Sequence, residues 1–102
     1  MTNTEFLQEV KRYVHEIDPQ AEVWQFGSRA RGDFDQDSDW DFLILTDKQV
    51  DRAYKRLIRD HLFYLSLDSE RIIGTIIQNK LAWEVLELTN LHQNIREDGQ
   101  LV

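Results

Sequence analysis

The chain has no cysteine among its 102 residues, which excludes a disulfide framework and any thiolate zinc site and suits a reducing cytoplasm. It also has no apolar run long enough to span a bilayer. The start Met1-Thr2-Asn3-Thr4-Glu5 lacks the basic and apolar stretches of a secretory leader. A soluble cytoplasmic protein with no membrane partner is the expectation. Positive charge is scarce as well, with 12 Lys and Arg against 19 Asp and Glu and a net charge of −7. Surfaces that bind polynucleotides need clustered Lys and Arg to displace phosphate counterions, so a large nucleic acid is not an expected partner. Repeats and low-complexity linkers are absent, and His15 and His92 lie too far apart in sequence to suggest a metal cluster. At this length, with 41% hydrophobic residues, the chain can build one core and is too short for two.

What is present is concentrated between Gly27 and Asp41. Gly27-Ser28 follows Val23-Trp24-Gln25-Phe26 directly, and a tight turn there offers free N–H groups and a hydroxyl to phosphate oxygens. Asp39 and Asp41 are separated by one residue and lead into Phe42-Leu43-Ile44-Leu45. On a strand both carboxylates project from one face, while Trp40 and Phe42 point the other way. Adjacent anions repel unless a cation sits between them, and hard oxygen ligands suit Mg²⁺. Together the two halves read as a site for a metal-bound triphosphate. A P-loop would need Lys and Ser or Thr after Gly32, where Asp33 and Phe34 stand. A calcium loop starting at Asp33 would put Ser38 at its glycine and Ile44 at its bidentate glutamate. Asp33, Asp35 and Asp37 read as solvation of a turn, and Arg29 and Arg31 as steering groups for the triphosphate or as shields for the acidic cluster.

Gly-Ser after a hydrophobic strand, ten residues, then Asp-x-Asp opening a second strand resembles the nucleotidyltransferase superfamily that includes DNA polymerase beta. The fuller string, Gly-Ser-x-Ala-Arg-Gly with Ser-Asp-x-Asp at its far end, is similar to the stand-alone minimal nucleotidyltransferase (MNT) domains of bacteria. The resemblance implies an Mg²⁺-dependent enzyme, with two ions, that passes a nucleoside monophosphate from a nucleoside triphosphate such as ATP to an acceptor. By the same resemblance Asp39 and Asp41 bind metal and are catalytic, and Gly27, Ser28, Arg29, Arg31 and Ser38 form the nucleotide set. MNT domains are commonly encoded beside HEPN-domain proteins as antitoxin and toxin, which implies a HEPN partner. Larger members of the superfamily add a domain that grips the acceptor, so here the grip is expected from another chain.

The implied fold is α/β (α+β), a small mixed sheet with helices packed on it, forming a single domain over residues 1–102 with a core to about residue 88 and a tail from about 89 to 102. Thr2 and Glu5 have capping-box spacing, and Phe6, Val10, Tyr13, Val14 and Ile17 recur at helical intervals until Asp18-Pro19. Ala21 to Phe26 reads as a strand, Ser28 to about Arg31 as a helical turn, and about Asp39 to Leu45 as a second strand. Thr46 and Gln49 again have capping-box spacing, opening a long helix whose apolar face is Val50, Ala53, Tyr54, Leu57, Ile58, His61, Leu62 and Leu65. His61 there reads as a core-edge histidine. Arg71 to Gln78 reads as a third strand buried on both faces. Many family members carry a third carboxylate on that strand as a general base, and residues 71–78 contain no acid. Asp68 and Glu70 precede it and read as helix-end solvation. The absence allows a second reading, a non-catalytic nucleotide-binding or antitoxin subunit. Leu81 to Leu88 reads as a helix anchored by Trp83, and Leu91 to Val102 as a polar tail. Asn94-Ile95-Arg96-Glu97-Asp98-Gly99 resembles the endings of short bacterial nucleotidyltransferase-like proteins, from which a complete protein is expected.

Overall fold

The computed structural model describes residues 1–86 and 89–102. The order of elements is α1 (Asn3–Ile17), β1 (Glu22–Phe26), α2 (Ser28–Arg31), β2 (Trp40–Thr46), α3 (Arg52–Ser69), β3 (Ile73–Asn79), α4 (Lys80–Val85), α5 (Asn90–Asp98) and β4 (Gln100–Leu101). The strands form one mixed sheet in the order β3-β2-β1-β4. β1 is antiparallel to β2 and β4, and β2 is parallel to β3. The parallel pair requires a crossover, which α3 supplies. No described helix is long and apolar enough to cross a membrane.

Alternation along β2 divides the molecule into two layers. Trp40, Phe42 and Ile44 face α1 and α3 and join Phe6, Val10, Val14, Ile58, Leu62 and Leu65 in the larger core. Phe6 meets the ring of Trp40 edge-on at 5.0 Å between centroids. Leu43 and Leu45 face the other way and pack with Trp83 of α4, Ile95 of α5, Trp24, Phe26 and Ile76. Asp41 belongs by parity to this second face, near the start of the strand, and is half-buried.

The capping box at Thr2 forms as its spacing predicts: the hydroxyl accepts from Glu5 N and the Glu5 carboxylate from Thr2 N. The second does not form. Thr46 is the last residue of β2, and the cap of α3 is Asp51, whose carboxylate accepts from Tyr54 N at 2.8 Å. Thr46 is instead drawn into a buried cluster with Asp18, donating to Asp18 Oδ2 at 2.5 Å, while the Tyr54 hydroxyl donates to the same oxygen at 2.8 Å. Burial pushes the Asp18 carboxyl up, but the hydrogen bonds from Thr46, Tyr54 and Gln20 N, aided by the charge of Lys48, outweigh it and hold the group below its ordinary range. Burial, with the Asp18 anion beside it, pushes the Tyr54 phenol up to about 12.

Three further differences follow from position in the fold. β3 lies at the sheet edge, so only Ile77 along it is buried and the strand is not covered on both faces. Leu57 and Ala53 of the expected α3 face are exposed, because the core stripe narrows to Tyr54, Ile58, Leu62 and Leu65. The segment from Leu91 to Val102 is structured: α5 buries His92 and Ile95, and β4 pairs with Trp24 and Gln25 of β1. Trp83 anchors α4 as expected, whereas the reading of that helix as far as Leu88 lies outside the described residues at its last two positions.

Candidate active site

The acidic end of β2 is built by register. Asp41 lies opposite Phe26 of antiparallel β1 and opposite Gly74 of parallel β3. Its carboxylate is wedged between two glycines. A Cβ added to Gly27 would fall 2.5 Å from Asp41 Oδ2, and one added to Gly74 would fall 2.9 Å from Asp41 Oδ1. Gly27 also has φ +81°, a backbone conformation that L side chains rarely adopt. The turn therefore brings its backbone against the metal-type carboxylate, which no residue with a side chain could do without displacing it.

Gly27 caps α2, and its carbonyl accepts from Ala30 N and Arg31 N, both at 3.1 Å. The N–H groups of Ser28 and Arg29 have no earlier carbonyl within the helix to bond to, so the turn leaves donors beside a carboxylate. Anion donors and an anion side by side call for a cation between them and a phosphate on the donors. Oxygen-only ligands on a partly exposed strand end fit a hard divalent ion such as Mg²⁺.

Electrostatics at Asp41 carry the same signature. Burial pushes its carboxyl up, the neighbouring Asp39 anion pushes it further, and the Arg31 guanidinium offsets part of the rise. Asp39 itself is exposed one residue before β2. A half-buried carboxylate held next to another is costly as an anion, and a bound cation would relieve that cost.

The arginines of the turn are occupied by the protein. Arg29 donates to Gln36 O at 2.8 Å and to Ser38 O at 3.1 Å, and its guanidinium lies between the rings of Phe34 (4.2 Å) and Trp40 (4.5 Å). Arg31 pairs with Asp33 and, at 3.0 Å, with Asp98 at the end of α5. The Ser38 hydroxyl accepts from Asp35 N at 2.9 Å and closes the turn from Asp35. These contacts stiffen the loop that delivers Asp39. Sequence reasoning missed Gly74, visible only through strand register, and Asp98, which is 67 residues from Arg31.

β3 carries no acid, and the residue in register with Asp41 is Gly74. Among the described residues, no three His, Cys, Asp or Glu side chains gather where they could hold a metal ion. Asp68 lies in the last turn of α3, and Glu70 caps that helix in a left-handed conformation. Glu70 lines a cavity of about 580 Å³ with Arg29, Ser38 and Trp40, which opens on the α1 side of the sheet, away from Asp41. By strand parity Asp41 points to the opposite face, the side of Leu43 and Leu45. His61, expected at the core edge, is half-buried against Tyr13 and 3.2 Å from Glu16 Oε2.

A glycine turn at the exit of one strand, apposed to an Asp-x-Asp on the neighbouring antiparallel strand, coincides with a match to the nucleotidyltransferase domain over residues 7–101. The chain belongs to that family. No curated protein matches it. Among solved structures, this nucleotidyltransferase domain is similar to a toxin–antitoxin crystallised with AMP-PNP, at 16% identity and a TM-score of 0.65, covering 98% of this chain and 72% of that one. It is also similar to the toxin–antitoxin MntA–HpeT in a mutant form, at 17% identity and a TM-score of 0.63, covering 100% and 72%. At such identities the likeness establishes the fold, a four-stranded mixed sheet with helices on both faces.

Proposed function

We propose that this nucleotidyltransferase domain transfers a nucleoside monophosphate, from ATP or another nucleoside triphosphate, to an acceptor on a partner protein. The observation that carries the reading is the Asp41 carboxylate held between Gly27 and Gly74, raised in pKa and facing the donor-rich turn. Asp39 and Asp41 would hold two Mg²⁺ ions, which when bound supply Lewis-acid charge to the transferring phosphoryl group. Ser28, with the first N–H groups of α2, would bind the outer phosphates and keep them in line. Arg29, Arg31 and Ser38 would serve nucleotide binding by holding the loop at its set distance. A new bond would form between the acceptor oxygen and the α-phosphorus as the acceptor hydroxyl gives its proton to water, the α–β bridge would break, and pyrophosphate would leave on the Gly27–Ser28 side.

The whole of residues 1–102 would act as one minimal domain of the cytoplasm, with the acceptor presented by a HEPN-domain partner in an antitoxin-like role. Toxin–antitoxin neighbours of the same fold support this reading. A second reading, a nucleotide-binding subunit without chemistry, is favoured by Gly74 occupying the position in register with Asp41 on a strand that has no acid. Purified chain and an Asp39→Ala/Asp41→Ala variant, incubated with Mg²⁺ and α-labelled nucleoside triphosphates in a lysate of the source organism, separate the two. Labelled protein that depends on both aspartates is the expected result. Retained Mg-nucleotide binding with no label would refute transfer and leave the binding subunit.

A further inference from the structure

The outer face of α3 has a pattern that the nucleotide site does not use. Arg52, Lys55, Arg56 and Arg59 follow i, i+3, i+4, i+7 spacing, so they lie along one stripe of the helix. The buried residues Tyr54, Ile58, Leu62 and Leu65 form a separate stripe about a third of a turn away. One helical turn further on, the same stripe continues as Phe63 and Leu67, exposed by 57% and 61%, with Tyr64 flanking them.

This arrangement works against the stability of α3. Cations in the first half of a helix oppose the macrodipole, and like charges four residues apart, 52 with 56 and 55 with 59, repel. The Asp51 cap offsets this at the helix start, and no further acid lies within the first turn. Among the described residues, the ion pairs use Arg12, Arg31, Lys48, His61 and Lys80, and none of the four stripe cations lies within 4.0 Å of a carboxylate. Arg59 reaches across to the edge strand, donating to Thr75 Oγ1 at 3.1 Å. A groove of about 370 Å³ runs there between α3 and β3, lined by Arg59, Phe63 and Thr75 among others. In a chain of net charge −7, four of the twelve Lys and Arg are thus gathered in eight residues and, among the described residues, have no carboxylate partner.

We propose that this stripe is the docking surface for an acidic segment of another protein. Its carboxylates meet Arg52, Lys55, Arg56 and Arg59, and its apolar side chains cover Phe63 and Leu67. Charge complementarity selects an acidic partner. The large apolar side chains in the second half of the stripe select protein over nucleic acid, whose interfaces are polar and wet. The inference takes up the protein partner of the proposed function and rests on none of its chemistry.

The test places a photo-crosslinker on the stripe of the full chain, Phe63→p-benzoylphenylalanine, in cells of the source organism, and identifies the crosslinked peptide by mass spectrometry. The expected adduct is a peptide of a different protein, rich in Asp and Glu. Its yield should fall about tenfold or more in the background Arg52→Glu/Arg56→Glu and survive Arg52→Lys/Arg56→Lys. Both charge variants change exposed side chains, and a melting temperature no lower than that of the wild type checks that they fold. An absent adduct, an adduct with a second copy of this chain or with RNA, or a yield indifferent to charge reversal would each overturn the proposal. Asp41→Ala should leave the adduct intact, so a failure of nucleotidyl transfer is read separately from a failure of docking.

Discussion

Gly74→Ala is the substitution that isolates the Asp41 carboxylate from the rest of the fold. The new Cβ would meet one atom within 4 Å, Asp41 Oδ1 at 2.9 Å. Gly74 has no positive φ, so alanine brings no backbone strain there. Restoring ordinary contact at 3.4 Å requires the carboxylate oxygen to move by about 0.5 Å. The moving atom is the end of a rotatable side chain, so the fold should absorb the change. Replacing glycine in a strand also restricts the unfolded chain and contributes about 0.4–1 kcal/mol of stability.

The expected outcome is a melting temperature within a few degrees of wild type together with a displaced Asp41 carboxylate and weaker Mg-nucleotide binding. A bond to a charged group contributes about 1.5–3 kcal/mol, so weakening this one should cost about tenfold in affinity, or about 1.4 kcal/mol. Mg-dependent binding of AMP-PNP by isothermal titration calorimetry, beside a thermal melt by circular dichroism, reads both quantities. An unchanged dissociation constant at an unchanged melting temperature would refute the argument that Asp41 is positioned by the absence of a side chain at Gly74. So would a large loss of stability, since it would mean that the neighbourhood of Gly74 is more tightly packed than the single contact implies.

At Gly27 the balance reverses: alanine would meet Asp41 Oδ2 at 2.5 Å at φ +81°, so positive-φ strain of about 1–2 kcal/mol and overpacking of about 1–3 kcal/mol add up to a clear fall in the urea midpoint. The overpacking part should vanish in the Gly27→Ala/Asp41→Ala double variant, which a double-mutant cycle reads directly. Asp41 is raised in the folded state, so the fold binds extra proton between its unfolded and folded pKa values, and stability falls as pH rises through that window. Asp41→Asn should therefore raise the melting temperature at pH 7 while weakening Mg-nucleotide binding, with the stability gain disappearing below the unfolded pKa. Asp18 has the opposite sign: its folded pKa is lowered, so its contribution is full above the unfolded value and is lost as pH falls through the folded one. Asp18→Ala, which strands the Thr46 and Tyr54 hydroxyls, should cost about 2–4 kcal/mol at pH 7 and flatten the acid limb of stability against pH measured by urea unfolding.

Much of the secondary structure was legible because each signal was local. The capping box at Thr2, the helical spacing of Phe6, Val10 and Val14, and the alternation from Trp40 to Leu45 each involve residues within a few positions of one another, and each appears in the fold. The error at Thr46 shows the limit of such signals. Capping-box spacing there was real, but a buried carboxylate 28 residues away held the hydroxyl more firmly than a helix terminus would. The segment from Leu91 to Val102 has few apolar residues because α5 needs only His92 and Ile95 to cover one patch of sheet, and β4 is an exposed edge of two residues.

By itself the sequence determined the residue types of the candidate site, since a glycine turn and an Asp-x-Asp at fixed spacing depend on residue type and local geometry alone. Tertiary structure decided how tightly that chemistry is held. The contact between Gly27 and Asp41 comes from pairing of antiparallel strands, and the placement of Gly74 from parallel register across an 18-residue helix. The diversion of Arg29 and Arg31 into loop and helix contacts depends on where Phe34, Trp40 and Asp98 lie in space. Contacts between distant segments are selected by packing of the whole core, and no local pattern of residues encodes them.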